Sequence, residues 1–370
     1  LKFPEPELRK LDNGIEVSLL KMGSQEVVHV EFVFNIGMSS SDNLIIPTAA
    51  TELIGTASDL YASGEIMDEI DFYGAFLESS VHMDFITFSV FSLSKYIDKV
   101  LKIFKEALIN VVYDKKDVEV YLNNNKEKLK TNMEKVQFLC LREFNKLIFK
   151  GHPYGKSISS SNFSDVNNLM LKDFHFNSFN PDLLSVIVSG NFNDNIFEEL
   201  NDFFGKWKGE SSIVASSNLI NYHPEKLYVS KSNAVQSALR IGKVLEIDYG
   251  SYEYVVFKVL NTILGGYFGS RLMSNIREDK GYTYGINSSL ITYELVTFFV
   301  ISSEIKGTAE KDALHEIYKE INKLRDVLVP VDELNTVKSF MLGTLLKAVD
   351  GPFLVAEQLK VFKLRGVGME

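Results

Sequence analysis

The sequence predicts an α+β protein built from two copies of one unit, each a mostly antiparallel sheet covered by helices. The chain has 370 residues, a length that usually divides into about two domains. Alternating apolar residues mark strands, and apolar residues at helical spacing mark helices. The same order of elements then recurs in the second half of the chain, which predicts an internal repeat.

In the first half, the apolar residues from Val28 to Ile36 alternate strictly, which predicts a half-buried strand at 26–36. Apolar residues from Ile97 to Val111 recur at helical spacing and predict an amphipathic helix at 94–112. The same patterns predict further strands at 14–21, 75–83, 84–93 and 183–189, and further helices at 47–61, 64–73 and 115–135.

The second half repeats this order. We predict strands at 226–230, 234–245, 283–291 and 294–303, helices at 251–264 and 269–279, an amphipathic helix from Ala313 to Leu324, and another that opens at Pro330. The second copy lacks a counterpart of the strand at 183–189, so we expect this domain to be truncated, with an open sheet edge.

A polar stretch at 206–224 divides the two copies. It is rich in small and charged residues and ends at Pro224, which is typical of a linker. The predicted organisation is therefore an N-terminal domain at 1–205, a linker at 206–224 and a C-terminal domain at 225–370.

Composition excludes several classes of function. The net charge of −10 has the wrong sign for binding phosphate backbones, so we expect no nucleic-acid partner. A single cysteine, Cys140, excludes an internal disulfide and any cysteine-based metal cluster. No stretch of 18 apolar residues occurs, so we expect no membrane span. The chain begins at Leu1 without a signal-peptide pattern, and its compartment cannot be read directly.

Four sequence elements resemble landmarks of one enzyme family. The segment from Ser274 to Gly285 resembles the R-E-x-x-G-x-x-Y element of the pitrilysin/insulinase-type metallopeptidases, the inverzincins. The run Asn261–Gly266 is similar to the glycine turn of that family, Gly151–Gly155 to its H-P-Y-G element, and Leu11–Gly14 to its opening turn. The resemblance covers nearly the whole chain and implies two α/β-sandwich domains of the mitochondrial-processing-peptidase type.

The catalytic zinc motif of the family is degenerate in this chain. H-x-x-E-H supplies two histidine ligands and a glutamate general base on one helix. Aligned on the following helix, the motif falls on Thr48, Thr51 and Glu52. None of the six histidines lies in an H-x-x-x-H pair, and the family's third ligand would be Glu127 or Glu134, both more simply interpreted as solvated residues. We therefore predict no metal or cofactor in this chain and no catalytic residue of its own.

Arg277 and Tyr284 occupy the positions of the family's Arg/Tyr pair, which the resemblance assigns to binding the substrate carbonyl. The alternative from spacing alone is an arginine that caps a helix and a tyrosine that fills a strand face. Some bacterial relatives divide these parts between two subunits, and this chain is similar to the non-catalytic, Arg/Tyr-bearing one. The resemblance thus implies a peptide substrate and a homologous, zinc-bearing partner subunit, with proteolysis only in the heterodimer.

Two competing hypotheses remain open at this stage. The chain could be a structural scaffold, like the core subunits of respiratory cytochrome bc complexes, with no part in proteolysis. Alternatively, it could be an autonomous metallopeptidase with an unorthodox site. The same resemblance favours the bacterial periplasm or cell envelope. His152, in the H-P-Y-G turn, is interpreted as a structural residue.

Overall fold

A computed structural model describes residues 3–209, 220 and 224–368. Its strands are β1 (Glu7–Lys10), β2 (Glu16–Lys21), β3 (Val27–Phe34), β4 (Phe76–Val81), β5 (Ile86–Leu93), β6 (Leu184–Gly190), β7 (Gln236–Leu245), β8 (Thr283–Thr292) and β9 (Thr297–Lys306). Its α-helices are α1 (Ile45–Glu52), α2 (Glu65–Phe72), α3 (Ile97–Ile109), α4 (Lys115–Met133), α5 (Val136–Ile148), α6 (Asn168–Ser178), α7 (Ile196–Phe204), α8 (Tyr252–Asn261), α9 (Glu310–Asp326), α10 (Val331–Ala348) and α11 (Pro352–Arg365). The α+β class with mainly antiparallel sheets is confirmed.

The chain forms two compact units that are each assembled from separate stretches of sequence. The first comprises the described residues of Leu1–Leu129, Ile158–Ser217 and Ala348–Glu370, and the second comprises those of Lys130–Ser157 and Asn218–Lys347. These units differ from the predicted boundaries at 205 and 225 because α5 packs with the second sheet and α11 with the first. The predicted linker at 206–224 lies largely outside the described residues.

The first unit is built on a six-stranded sheet in the order β1-β2-β6-β3-β5-β4. The central strand β3 pairs antiparallel with β5 on one side and with β6 on the other, while β6 pairs parallel with β2. The short edge strand β1 is an element that sequence periodicity missed. One face of this sheet packs against α3 and α7 through a cluster centred on Phe32, Phe104 and Phe204.

The opposite face of the first sheet is covered by α11, so β3 is buried on both faces and the prediction of a half-buried strand is wrong. His29 stacks on Phe91, with ring centroids 4.1 Å apart, and meets the edge of Phe353 at the start of α11. Glu31 accepts a hydrogen bond of 2.6 Å from Lys360 of α11. The polar residues that alternate along β3 therefore face a second packed layer rather than water.

The second unit is built on a three-stranded antiparallel sheet in the order β7-β9-β8. Leu239 and Ile241 of β7 pack with α9 and the glycine-turn region on one face. On the other face α5 approaches closely at Gly242, where an added Cβ would lie 2.5 Å from Cζ of Phe144. The predicted strand at 226–230 is not formed, since those residues have no strand pairing in the described structure.

Within the described residues, no single helix is both long and apolar enough to cross a membrane. The pair α10 and α11 reaches the required length and composition only when the two helices are taken together across the break between them. Val355, Ala356 and Leu359 of α11 are buried against Leu20 and Ile187 of the first sheet. The apolar character of α11 is thus accounted for by packing within the first unit.

The Glu31–Lys360 ion pair predicts a large loss of stability when only one partner is removed. Substituting Lys360→Met leaves a buried carboxylate without its cation, and we expect a loss of about 3–5 kcal/mol in the free energy of unfolding. The double variant Glu31→Leu/Lys360→Met should recover most of this loss. Lys115→Met, which breaks the exposed pair with Glu119, serves as the control and should cost under about 1 kcal/mol. Urea titration compares the three variants with the unchanged chain, and equal losses for Lys360→Met and Lys115→Met would contradict the account.

Two buried histidines predict a loss of stability in mild acid. Burial, assisted at His29 by Lys360, lowers the pKa of His29 to about 4, and burial lowers the pKa of His175 to about 4. Because the unfolded chain has a histidine pKa of about 6.5, it binds more protons below that pH, and stability is lost as pH falls from about 6.5 to about 4. At pH 5 the loss is about 2 kcal/mol for each histidine.

Unfolding free energies measured between pH 7 and pH 4.5 check this expectation. His29→Gln should flatten the slope with pH, whereas His315→Gln, on an exposed position of α9, should leave it unchanged. An unaltered slope in His29→Gln would show that this histidine is not protonated on unfolding.

Candidate functional site

The helix α1 carries the three residues that stand at the zinc-motif positions. Asn43 Oδ1 accepts a hydrogen bond from the Ile45 backbone N–H and so supports the start of the helix. The Thr48 hydroxyl donates to the Leu44 carbonyl, and the Thr51 hydroxyl donates to the Pro47 carbonyl, both at 2.8 Å. Each threonine therefore uses its hydroxyl proton within the helix, as is common for threonine in helices.

The surroundings of the three side chains differ. Thr51 is fully buried, Thr48 is half-buried and Glu52 is exposed. Glu52 accepts a hydrogen bond of 2.8 Å from the Tyr121 hydroxyl of α4. Burial, together with the nearby Glu52 carboxylate, raises the pKa of Tyr121, so the phenol keeps its proton and remains the donor. A metal site here would have one carboxylate and no nitrogen ligand, which does not fit catalytic zinc.

The buried side of α1 is fixed by α6 and by Tyr113. The Tyr113 hydroxyl donates to the Ala50 carbonyl at 2.8 Å and lies 3.1 Å from Nδ1 of His175 in α6. Burial keeps both groups uncharged, since it raises the pKa of Tyr113 and lowers that of His175. His175 is therefore part of the support beneath the helix.

The two candidate third ligands have surroundings of their own. Glu127 is exposed on α4. Glu134 belongs to the second unit, where it accepts a hydrogen bond of 2.9 Å from Lys231. In the described ranges, no three His, Cys, Asp or Glu side chains are grouped closely enough to hold a metal ion. His223 lies outside these ranges, and the expectation that the chain binds no zinc stays a prediction.

Arg277 lies in the second unit, on a π-helical segment from Met273 to Asp279. Its guanidinium carbon sits 4.8 Å from the centroid of the Phe268 ring, in the geometry of a cation–π contact. The segment is held to α9 because the Asn275 amide donates to Glu316 at 2.9 Å and to Glu320 at 2.8 Å. π-Helical segments are rare and are found frequently at functional sites.

Tyr284 lies on a β-bulge at the start of β8. Between Thr283 and Ile286 the strand gains one residue relative to β9, and the extra residue turns the Tyr284 side chain outward. The Ser303 hydroxyl donates to the Gly285 carbonyl at 2.9 Å, and the Gly285 N–H donates to the Thr283 hydroxyl at 3.0 Å. Thr283 and Ser303 are both buried, so the bulge is fixed from beneath.

The outward position of Tyr284 bears on the alternative that this tyrosine only fills a strand face. Its side chain is 85% exposed, so it does not fill a strand face. A short turn joins the Arg277 segment to β8: Gly281 has φ +62°, and the Tyr282 N–H donates to the Ile276 carbonyl at 3.0 Å. Arg277 and Tyr284 thus flank one hydrogen-bonded connection in the same unit. Their role in binding substrate stays a prediction.

The H-P-Y-G turn is held by a hydrogen bond within the turn and by packing of its tyrosine. His152 Nδ1 accepts a hydrogen bond of 3.2 Å from the Tyr154 backbone N–H within the turn. Tyr154 is buried among Phe149 and Tyr293, while Phe298 packs on the other side of Phe149. The turn closes an aromatic cluster of the second unit.

Sequence reasoning missed the residues that position the site. Tyr121, Phe268 and Ser303 belong to no motif, and Thr283 fills an unspecified position of one. Their contacts depend on neighbours up to 69 residues away. Gly285 is the local signal of irregular backbone at this point, and a bulge is defined only by its pairing partner.

Comparisons with known proteins indicate the family that this chain resembles. Residues 165–341 match the model of the peptidase M16 inactive domain. The chain is 22% identical over 290 residues to the "Uncharacterized zinc protease YmxG" of Bacillus subtilis, a match that covers 77% of this chain and 70% of YmxG. The chain is thus similar to M16 peptidases over most of its length. This confirms the resemblance found in the sequence.

Two further similarities concern another curated relative and the fold of this chain. It is 19% identical to the "Probable inactive metalloprotease YmfF" of Bacillus subtilis, over 62% of this chain and 52% of that protein. Its structure resembles a peptidase M16 inactive domain from Pseudomonas fluorescens with a TM-score of 0.86 at 17% identity, over 99% of this chain and 89% of the other. The structural likeness establishes the fold alone.

The burial of Thr51 predicts that the family's general base cannot simply be restored. Thr51→Glu would place a carboxylate in a fully enclosed position, and we expect a loss of about 3 kcal/mol or more in the free energy of unfolding. Thr48→Glu, on the half-buried side of the same helix, is the matched control and should lose under about 1 kcal/mol. Chemical denaturation measures both, and equal stability of the two variants would show that position 51 is open to water.

Proposed function

We propose that this M16 chain is the non-catalytic subunit of a two-chain zinc peptidase. It pairs with a homologous subunit that carries an intact H-x-x-E-H motif, and it supplies Arg277 and Tyr284 to the bound peptide. Zinc belongs to the partner in this proposal, since the Thr48, Thr51 and Glu52 set lacks both nitrogen ligands and the general base.

The exposure of Tyr284 is the observation that supports this proposal most directly. The aromatic ring of Tyr284 is exposed to water on a hydrogen-bonded bulge, so it adds almost no buried area to the core of its own unit. Bulges next to active sites serve to aim a side chain. The buried Thr283 and Ser303 fix the backbone from which the phenol projects, so Tyr284 is positioned before any ligand arrives.

The chemistry of the pair suits a peptide carbonyl. A guanidinium offers several N–H donors in a planar fork, and a phenol offers one O–H donor. Directed at a carbonyl oxygen, these donors bind the peptide and stabilise the negative charge that develops on that oxygen during hydrolysis. The Arg277 guanidinium lies over the Phe268 ring. This contact leaves N–H groups at the guanidinium edge for a ligand.

Reconstitution with a zinc-bearing M16 subunit tests the proposal. Cleavage of a fluorogenic peptide by the mixture is the readout, and Arg277→Ala or Tyr284→Phe should each lower kcat/KM by about 100-fold. Arg325→Ala and Tyr252→Phe are matched controls, because both residues are exposed in the second unit and outside the motif. The controls should retain full activity.

Two outcomes would contradict the proposal. Full activity in Arg277→Ala and Tyr284→Phe would remove the substrate-binding role. A stable complex with no cleavage of any peptide would favour the scaffold alternative instead. Analytical ultracentrifugation of each variant with the partner separates loss of pairing from loss of catalysis.

A further inference from the structure

The helical segment that carries Arg277 runs from residue 271 to residue 279. Its last seven residues, Met273–Asp279, are π-helical, so the turn is wider than in an α-helix. The Lys280 backbone N–H donates to the Asn275 carbonyl at 3.0 Å, which is the i→i+5 bond of a π-helix. Arg277 lies within the loop of backbone that this bond closes. The direction of the Arg277 side chain therefore depends on how the Asn275 end of the loop is held.

The Asn275 side chain is bonded to α9 through both donors of its amide group. Its amide nitrogen lies 2.9 Å from a carboxylate oxygen of Glu316 and 2.8 Å from a carboxylate oxygen of Glu320. These two glutamates are four residues apart and so share one face of α9. Glu320 is only 7% exposed, and a buried carboxylate needs a hydrogen-bond donor. The bond from Asn275 to Glu320 is therefore costly to break.

A second contact holds the beginning of the same segment. Arg271 forms a bidentate ion pair with Glu333 in the first turn of α10, with both N–O distances at 2.8 Å. The Arg271 side chain is only 10% exposed. The hydrogen bonds to Glu333, with the charges of Glu333 and Glu320, raise the pKa of Arg271, so the cation is retained. Because Asn275 and Arg271 are held by two different helices, the segment cannot rotate about its axis without breaking one of the contacts.

Arg277 faces away from these two helices. It follows Asn275 by two residues, which is about half a helical turn, and its guanidinium carbon lies 4.8 Å from the centroid of the Phe268 ring. Tyr267, the residue before Phe268, packs on Phe340 of α10, with ring centroids 4.9 Å apart. All of these residues belong to the second unit. The guanidinium is thus placed by contacts on both sides of the segment.

We propose that Asn275 and Arg271 are positioning residues, which hold the wide turn so that the Arg277 N–H donors point at the substrate carbonyl. The inference rests on the proposed role of Arg277 in binding substrate and names the residues on which that role depends. Neither positioning residue touches substrate, because both donors of Asn275 are bonded to α9 and the Arg271 side chain is nearly buried. A misplacement of about 1 Å can cost an enzyme up to about 100-fold in rate.

Amide hydrogen exchange of the full chain, without a partner, tests whether the Asn275 side chain holds the turn. Asn275→Ala should speed exchange of the Lys280 amide, which is bonded across the turn, by about tenfold or more. Asn110→Ala is the matched control, because Asn110 also donates to a carboxylate, that of Glu106, but in the first unit. The control should leave exchange of Lys280 unchanged.

Peptide cleavage in the presence of the zinc-bearing partner tests whether Asn275 acts through Arg277. Asn275→Ala alone should lower kcat/KM for the fluorogenic peptide by about tenfold or more. Added to Arg277→Ala, the same change should cost at most about a further twofold, because the guanidinium that it displaces is already gone. Glu320→Gln keeps an oxygen acceptor for the Asn275 amide and should retain activity within about twofold, whereas Glu320→Leu should lose as much as Asn275→Ala.

Arg271→Lys is a second variant, which keeps the charge but loses the planar fork that binds Glu333. It should lower kcat/KM by several-fold, and this loss should also vanish in the Arg277→Ala background. Thermal unfolding and sedimentation of each variant with the partner separate misplacement of Arg277 from loss of folding or of pairing. If Asn275→Ala does not fold, the cycle with Arg271→Lys decides the question.

The proposed function and this inference fail in different ways. Full activity of Arg277→Ala would remove the substrate-binding role of Arg277 itself. A loss of about 100-fold in Arg277→Ala, with an equal further loss when Asn275→Ala or Arg271→Lys is added, would overturn the positioning role alone. Unchanged exchange of the Lys280 amide in Asn275→Ala would also overturn it, since the side chain would then not hold the turn.

Discussion

The ion pair between Glu31 and Lys360 joins residues 329 positions apart and links α11 to the central strand of the first sheet. It fastens α11 across the outer face of β3, so the first sheet is enclosed only when the C-terminal helix is in place. Burial raises the pKa of Glu31, and the Lys360 ammonium opposes that shift, so each charge is tolerated because of the other. A sequence boundary near residue 205 therefore cannot coincide with the boundary of the unit.

The packing of α11 on the first sheet also separates what the sequence could predict from what it could not. Apolar periodicity located β3, α3 and β9 because those patterns depend on neighbours within one element. It missed the second buried face of β3, since His29 and Glu31 look like solvent-facing residues until α11 covers them. The segment 226–230 has the composition of a strand, yet a strand also needs a neighbour to pair with. Pairing between distant segments is not recorded in a local pattern.

The candidate site was predictable in part for the same reason. Motif spacing identified Thr48, Thr51, Glu52, Arg277 and Tyr284 by position. It could not show that the threonine hydroxyls bond within α1, that Tyr121 donates to Glu52, or that a bulge projects Tyr284 into water. The two motif segments thus differ in what they present. The threonines of α1 use their hydroxyl protons within the helix, whereas the Tyr284 side chain projects into water.

Catalysis divided between two chains is the central claim, and continuous variation of subunit ratio tests it most directly. Peptide cleavage is measured at constant total protein while the fraction of this chain changes, with zinc determined by mass spectrometry in each sample. The account predicts no cleavage by either chain alone, a maximum at equal amounts, and zinc that follows the partner only. Cleavage and bound zinc in this chain by itself, or activity proportional to the partner alone, would contradict it.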